Sequence, residues 1–410
     1  RSRIMNRPLV VQKYGGTSVG SPEKLSQVAT RIGHRIQAGH QLVVIVSAMG
    51  QTTDHLVTLA QALSGNALLS DAYYREYDQL VATGETVSAA LLAIALQAAG
   101  YKAVSLTGAQ AGIKTEQAYS RAKIQAVDLS RVYQELAEHD AVIITGFQGV
   151  NARNDVTTIG RGGSDTSAVV MAAALNLPVC EIYTDVDGVY TADPRYVKQA
   201  RKLALISYDD MLEFSSLGAT VMHPRAVECA KLNQITLSVR SALTDDPGTE
   251  IKEIPMELNK PVTGVTRNDN TTQFTIRNLP DTPGTAATLF NALTAISVDM
   301  IVQSTQDKGT NTISFTVDAD DTAATEAIMT AYTQSPTSLT VNTAIAKVSV
   351  VGVGMISRPG VAATVFSTLG NAGINIHLIA TSEIKISCVI DRARAIEAVQ
   401  LLHHAFALDT

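Results

Sequence analysis

The stretch most able to do chemistry is TTIGRGGSDTSA, Thr157–Ala168. It places a cation, Arg161, two glycines, Gly162 and Gly163, and then Ser164 and Asp165 ahead of an apolar helical run, Ala168–Leu177. Glycine lets backbone approach a ligand closely, and free N–H groups at a helix start point at negative charge. The same letters also spell a tight turn and a capped helix. A second candidate is Lys13, at the end of the apolar run Leu9–Lys13, followed by Tyr14-Gly15-Gly16-Thr17-Ser18. Its lysine precedes the glycines, so it is neither a GxxxxGK[ST] loop nor GxGxxG. It reads as a phosphate cradle with a point charge, or as a strand-end lysine beside a turn. The third is Glu181–Arg195, EIYTDVDGVYTADPR, with Asp185 and Asp187 just beyond a strand. Ligands of open α/β sheets bind at strand C-termini, although Asp-Gly and Asp-Pro are also common turn pairs.

These residues need elements to hold them. Leu9–Lys13, a helix from Ser21-Pro22-Glu23 through Leu25, Val28, Ile32 and Ile36, and a strand Gln41–Val46 form a strand–turn–helix–strand unit. Such units predict a mostly parallel sheet. Helices are expected over Leu56–Leu69, Ala72–Val81, Val87–Ala99 and Ala126–His139, with a strand at Lys102–Leu106 and a polar loop at Gly108–Ala118. Strands at Ala141–Gly146, Val179–Tyr183 and Thr236–Arg240 extend the sheet, and helices fall at Ser207–Ser215 and Val221–Leu232. Glu85, near a helix start, reads as ordinary dipole complementation.

Ile251–Lys260 reads as a linker, and beyond it the chain repeats itself. Asp281-Thr282-Pro283-Gly284 parallels Ser357-Arg358-Pro359-Gly360, and Ser297–Ile301 parallels Asn375–Ile379. Each copy adds a strand (Thr312–Val317; Ile384–Ile390) and a helix (Thr322–Tyr332; Arg394–Phe406). That is the βαββαβ pattern of a ferredoxin-like α+β unit. Duplicated small sheets with a bare edge pair with each other and bind ligands between them, or serve only for assembly.

The 410 residues suit two to four domains, and 46% apolar content is enough for proper cores. A net charge of −6 without a basic block argues against a nucleic-acid partner. No run of 18 apolar residues occurs, so no membrane span is expected. Cys180, Cys229 and Cys388 are too scattered for a disulfide framework or a zinc site. With no secretory pattern visible, a cytoplasmic location is expected, and Arg1–Met5 reads as a remnant ahead of a start near Met5.

KYGGTSVG, FQGVN…TTIGRGGSDTSA and EIYTDVDGVYTADPR, in this order and followed by the repeat, resemble the aspartate kinases of the amino-acid-kinase family that carry two C-terminal ACT domains. The resemblance spans nearly the whole chain. It implies a mostly parallel, three-layer α/β kinase domain over residues 1–250, a linker at 251–260, and ferredoxin-like ACT domains at 261–338 and 339–410. It further implies ATP, Mg²⁺ and L-aspartate as ligands, lysine and/or threonine as effectors, and a homo-oligomer joined through the ACT domains. By resemblance Lys13 neutralises the transferring phosphoryl group, and Asp165 orients Lys13 or a magnesium ion. Ser47, Thr53, Glu85, Arg161, Gly162, Gly163 and Ser164 match the amino-acid pocket, with Arg161 on the α-carboxylate and Glu85 toward the ammonium. Lys13, Gly15, Gly16, Thr184, Asp185, Tyr190, Asp193 and Arg195 match the nucleotide pocket. Asp281, Pro283, Gly284, Asp299, Met300, Gln303, Asn375, Ile376, Thr381 and Ser382 match the effector sites. No metal ligand is assigned.

Two positions depart from the family pattern. Thr220 stands where a phosphate-contacting lysine is usual, which implies weaker nucleotide binding. Ser297 stands where the second copy keeps Asn375, which makes effector binding at the first copy less secure. Met256 also opens the possibility of a separate C-terminal subunit from an internal start. A carboxylate with a pKa of about 4 is already ionised at neutral pH, so an acyl-phosphate chemistry needs no general base. Its difficulty is bringing two anions together, which backbone amides and cations can solve. Rival readings are a relative acting on glutamate, acetylglutamate, carbamate or UMP, and a kinase-shaped amino-acid sensor without activity.

Overall fold

The computed structural model describes residues 7–65, 70–217, 221–255, 258, 260–306, 309–333 and 338–410. Thr220, Met256 and Arg1–Met5 lie outside the described residues. The chain forms two compact units. One comprises the chain up to Val189, Lys202–Ser215 and the stretch ending at Glu253; the other comprises Tyr190–Arg201 and Ile254–Thr410.

The first unit begins β1 (Leu9–Tyr14), α1 (Pro22–Gln37), β2 (Gln41–Val46), α2 (Thr52–Ser64), α3 (Asp71–Val81), α4 (Thr83–Ala98) and β3 (Ala103–Leu106). Then come β4 (Ile113–Thr115), β5 (Ile124–Val127), α5 (Ser130–Leu136), β6 (Ala141–Thr145), β7 (Gln148–Val150), β8 (Val156–Thr158) and α6 (Gly163–Ala174). It closes with β9 (Val179–Thr184), β10 (Leu205–Ile206), α7 (Tyr208–Leu217), α8 (Pro224–Leu232), β11 (Thr236–Ser241) and β12 (Thr249–Ile251). Eight strands make one sheet, ordered β10-β12-β11-β9-β1-β2-β6-β3, in which β1 pairs in parallel with β2 and β9. Only the β11–β12 pairing is antiparallel among those described.

Alternation along β1 decides where Lys13 points. Tyr14 packs with Leu42, Val44, Val46 and Ile143 under Val28 and Ile32 of α1 and Leu92 of α4. Lys13, one residue out of phase, faces the opposite side, where α6 lies on β1, β2 and β9. Entry into α1 is fixed by Ser21, whose Oγ accepts the Lys24 N–H at 3.3 Å, and by Pro22 at the first helical position. The helical stretch Asp71–Ala98 is long and apolar enough to cross a membrane, but half of its most apolar window is buried inside the protein. A core helix has the same composition.

A second sheet, β5-β4-β7-β8, departs from the expectations. The polar loop at Gly108–Ala118 contains β4, and the helix expected over Ala126–His139 is β5 followed by the shorter α5. The carboxylate of Asp128 accepts from the Ser130 N–H at 3.0 Å and its hydroxyl at 2.6 Å, which starts α5 late. These strands are too short for a period-2 pattern to show. Three helices start four or more residues earlier than expected, α2 at Thr52, α4 at Thr83 and α6 at Gly163.

The second unit holds β13 (Gly264–Asn268), β14 (Thr272–Pro280), α9 (Thr285–Asn291), β15 (Val298–Gln306), β16 (Thr310–Val317) and α10 (Thr322–Tyr332). It continues with β17 (Leu339–Asn342), β18 (Ile345–Val351), α11 (Val361–Asn371), β19 (Ile376–Thr381), β20 (Lys385–Asp391) and α12 (Ala395–Ala405). Its sheets are β15-β16-β14-β17 and β13-β18-β20-β19. The repeat therefore does not split into contiguous halves at 338/339. β13 closes the sheet of the second copy, and β17 closes that of the first. Sequence similarity marks the Pro-Gly turns and helices, whereas edge strands are chosen by hydrogen bonding across the sheet.

Candidate active site

The ends of β1, β2 and β6 bring the first set of site residues together. Lys13 Nζ pairs with Asp165 Oδ1 at 2.7 Å, and both side chains are nearly buried, at 11% and 12% exposure. Asp165 is in the first turn of α6, the helix on the face toward which Lys13 projects. A Cβ built on Gly15 would lie 3.5 Å from Lys13 Nζ, so the ammonium sits directly below the first glycine of the Gly-Gly turn. Gly16 has no room for a side chain: its Cβ would come within 2.8 Å of the Ala48 carbonyl. The Gly50 N–H donates to the Gly16 carbonyl at 2.9 Å, which ties the turn after β1 to the turn after β2.

Ser47 follows β2. Its carbonyl accepts from the Ser88 hydroxyl at 2.6 Å, and Glu85 Oε1 accepts the Ala48 N–H at 3.3 Å. The Thr53 hydroxyl lies 3.8 Å from where a Cβ of the adjacent Gly84 would be. Glu85 is 3% exposed and its Oε2 has no hydrogen-bond partner. Burial pushes its carboxyl up to about 7, against the opposing pull of the Glu85 and Ala48 backbone amides. An unpaired, half-ionised carboxylate in this position is a ready acceptor for an ammonium group.

The turn Gly160–Gly163 completes the set. Gly162 is the cap of α6 in the left-handed region (φ 69°), a conformation that favours glycine. Ser164 lies over Gly146 at the end of β6, whose own Cβ would meet the Ser164 hydroxyl at 2.7 Å. Arg161 is exposed at the rim. Three residues outside the expected set hold this turn in place. Asp78, fully buried in α3, accepts the Ser120 N–H at 2.8 Å, the Thr158 N–H at 2.9 Å and the Thr158 hydroxyl at 2.7 Å. Arg225 donates to the Ile159 carbonyl and, at 3.3 Å, to that of Ala122, and His223 packs against Gly162. None carries a local sequence signal, because their partners are tens of residues away.

A model of the amino acid kinase family matches residues 8–241, and a model of the ACT domain matches 277–332 and 348–406. The chain is 48% identical to the aspartokinase of Geobacillus stearothermophilus, over 98% of this chain and 97% of that relative. The chain belongs to the aspartokinases of the amino acid kinase family. Among solved structures, aspartokinase III of E. coli in complex with aspartate and ADP superposes with a TM-score of 0.77 at 25% identity, covering 97% of this chain and 99% of that one. The same enzyme in complex with lysine and aspartate gives a TM-score of 0.78 with the same coverage. The family identity makes this chain a kinase with ACT domains.

In this aspartokinase the residues expected around the nucleotide fall in both units. Thr184 ends β9 and Asp185 follows it, with the Thr184 hydroxyl donating to Asp185 Oδ1 at 3.0 Å. Tyr190, Asp193 and Arg195 belong to the second unit. There the Arg195 guanidinium pairs with Asp193 at 2.6 Å, and that hydrogen bond holds the Asp193 carboxyl below its ordinary range. Thr191 Oγ1 and His403 Nε2 of α12 are 2.8 Å apart, and the Val265 N–H of β13 donates to the Thr191 carbonyl at 2.8 Å.

The two Pro-Gly turns match in detail. Gly284 and Gly360 cap α9 and α11 at φ 96° and 97°. In the first copy Asp281, Pro283, Gly284, Gln303, Asn311 and Ile313 line a cavity of roughly 340 Å³. Asp299 and Met300 lie elsewhere: Asp299 pairs with Lys347 of β18, and Met300 packs with Leu378 and Val389 of the other sheet. Burial works to raise the Asp299 carboxyl, and Lys347 outweighs it, leaving it below the ordinary range. In the second copy Asn375 precedes β19, Ile376 opens it and Thr381 and Ser382 stand at its far end.

Proposed function

We propose that the chain transfers the γ-phosphoryl group of ATP to the side-chain carboxylate of L-aspartate, giving 4-phospho-L-aspartate. The observation that carries this reading is the sheltered Lys13–Asp165 pair beneath the Gly15–Gly16 turn, at the ends of parallel strands. Acceptor and donor are both anionic, and no base is required. Lys13 Nζ exchanges Asp165 for an equatorial oxygen of the transferring phosphoryl group, and the amides of Gly16 and Gly162 supply further donors, those of Gly15 and Gly163 being taken by the Tyr183 and Gly160 carbonyls at 3.2 and 3.0 Å. Arg161 grips the α-carboxylate of aspartate, and the unpaired Glu85 carboxylate accepts its ammonium. Ser47, Thr53 and Ser164 fix its orientation. Thr184, Asp185, Tyr190, Asp193 and Arg195 are assigned to the nucleotide.

Magnesium is expected with the nucleotide. No cluster of three or more acidic, histidine or cysteine ligands occurs among the described residues, so these residues suit an ion carried mainly by phosphate oxygens and water, with Asp165 assigned to orient Lys13 or that ion. Bound there, it supplies positive charge to the phosphates. The proposed division is a catalytic domain to residue 250, a linker at 251–260 and two ACT domains that exchange edge strands. Lysine, threonine or both bind at the Asp281–Gly284 turn and shift a two-state equilibrium, in a homo-oligomer joined through the ACT domains. The reaction would open the biosynthesis of lysine, threonine and methionine.

A coupled ADP-release assay tests the reaction. ADP formation should require aspartate, and should not occur with glutamate, acetylglutamate, carbamate or UMP. Aspartate-independent turnover, or a preference for one of the others, contradicts the assignment. Added lysine and threonine, alone and together, test the regulation. An unchanged rate at millimolar effector leaves the ACT pair an assembly module.

A further inference from the structure

Three of the residues assigned to the nucleotide, Tyr190, Asp193 and Arg195, lie on a segment, Tyr190–Arg201, that carries none of the helices or strands named above. It belongs to the unit of the ACT sheets. Its shape must therefore come from what it packs on. Ala192 and Val197 are buried in the core of the second ACT sheet, in one cluster with Val265 of β13, Val348 of β18 and Val399 and Leu402 of α12. Thr191 is buried too and closes the segment on itself. Its N–H donates to the Arg201 carbonyl, and its Oγ1 accepts the Arg201 N–H, both at 2.9 Å.

Two residues of α12, three positions apart and so on one helix face, reach into this segment. Gln400 Nε2 donates to the Tyr196 carbonyl at 2.8 Å, and His403 Nε2 lies 2.8 Å from Thr191 Oγ1. His403 is 1% exposed, and burial holds its imidazole below the ordinary range. An apolar side chain here would avoid the cost of taking ring nitrogens out of water. The histidine gives in exchange a buried hydrogen bond to the residue between Tyr190 and Ala192. Beyond it, the Arg195 guanidinium lies over the Tyr196 ring at 5.5 Å, and Arg267 of β13 over the same ring at 4.9 Å.

We propose that His403 is a positioning residue of the reaction: through Thr191 it holds Tyr190, Asp193 and Arg195 in the arrangement that receives the nucleotide. This rests on the aspartate-kinase reading and its assignment of those three residues. A binding arrangement that is only partly populated lowers the apparent affinity by that fraction, so loosening the segment weakens ATP and leaves aspartate alone.

His403→Leu removes the bond and keeps a large buried side chain, whereas His403→Gln offers an amide that can donate or accept near Nε2. Both are assayed in the full-length chain for ADP release with ATP and aspartate varied in turn, and for melting temperature. His403→Leu should raise the KM for ATP about three- to tenfold, the usual worth of one hydrogen bond, with the KM for aspartate within about twofold and little change in melting. His403→Gln should return the KM for ATP toward the wild-type value. An unchanged KM for ATP in His403→Leu, or KM values for both substrates that move together with melting temperature, overturn the proposal. Should His403→Leu not fold, Thr191→Val and Thr191→Ser decide: a raised KM for ATP in the valine variant alone supports the positioning, and equal values in both refute it. Arg195→Ala separates this claim from the one beneath it. If that variant leaves the KM for ATP untouched, the nucleotide assignment fails and the proposal with it. If it raises that KM while His403→Leu does not, the positioning alone fails. Absence of aspartate-dependent turnover in the wild type would fault the reaction, and calorimetric titration with ATP would then carry the same comparison between variants.

Discussion

Each unit contains one sheltered lysine paired with an aspartate, and the two pairs differ in what surrounds them. Lys13 and Asp165 are about equally hidden, Lys13 one residue before the end of β1 and Asp165 in the first turn of α6, next to the Gly15–Gly16 turn. Lys347 is 7% exposed, but Asp299 is 53% exposed, and both lie within antiparallel strands. Charges taken out of water are costly unless paired, so Lys13 keeps Asp165 until another anion replaces it. Lys347 joins β18 to β15, beside the cluster of Met300, Leu378 and Val389 that packs the two ACT sheets together. On the proposed reading one pair is exchangeable and the other is a clamp.

The sharpest way to break this distinction is to remove each lysine. Lys13→Ala should lower kcat by about two to three orders of magnitude with a modest change in KM, the usual loss for one donor to a developing charge. A kcat near normal would make the pair structural. Arg161→Ala should raise the KM for aspartate by about ten- to a hundredfold and leave that for ATP nearly unchanged, in keeping with a lost charge-assisted hydrogen bond. A change confined to ATP would move Arg161 to the nucleotide.

Glu85 refines the comparison, being a buried acid with no cation in the free protein. Its folded carboxyl titrates near 7 against an ordinary 4.5. Between those values the folded state holds more protons than the unfolded, so this residue's contribution to stability falls as pH rises through the window and is constant above it. Glu85→Gln should abolish that slope and raise stability at pH 8, by no more than about 3 kcal/mol. The wild-type kcat/KM for aspartate should drop below pH 7 as Glu85 takes a proton, and the variant should be flat and low. A wild-type profile retained by the variant would assign the titration elsewhere. The smallest effect is expected from Lys347→Met. With its partner half in water, it should cost about 1 kcal/mol of stability at most and leave uninhibited kcat within about twofold. A large loss of basal activity would erase the difference between the pairs.

Sequence patterns expose some of this and hide the rest. Lys13 is legible because a strand end, a cation and two glycines coincide, and Asp165 because it follows Gly-Gly at a helix start. The mostly parallel sheet and the ferredoxin-like repeat show through hydrophobic runs and the doubled Pro-Gly turn. Glu85 looks like any first-turn acid, since its burial depends on Ala48, 37 positions earlier. Asp78 reaches Thr158 across 80 positions, and Arg225 reaches Ile159 across 66, so no local window reports them. β4 and β5 fail for another reason, being too short for a periodicity to declare itself. The exchange of β13 and β17 between the ACT sheets is a matter of edge pairing, to which a repeat in sequence is blind.

The claim on which the rest depends is that Lys13 and the two glycine turns let a carboxylate accept a phosphoryl group. Trapping the product with hydroxylamine during turnover with ATP, magnesium and aspartate tests it most directly. The account expects aspartyl hydroxamate in equal amount to ADP, with both slowed together in Lys13→Ala. ADP released without hydroxamate, or hydroxamate formed at an undiminished rate in that variant, would contradict it.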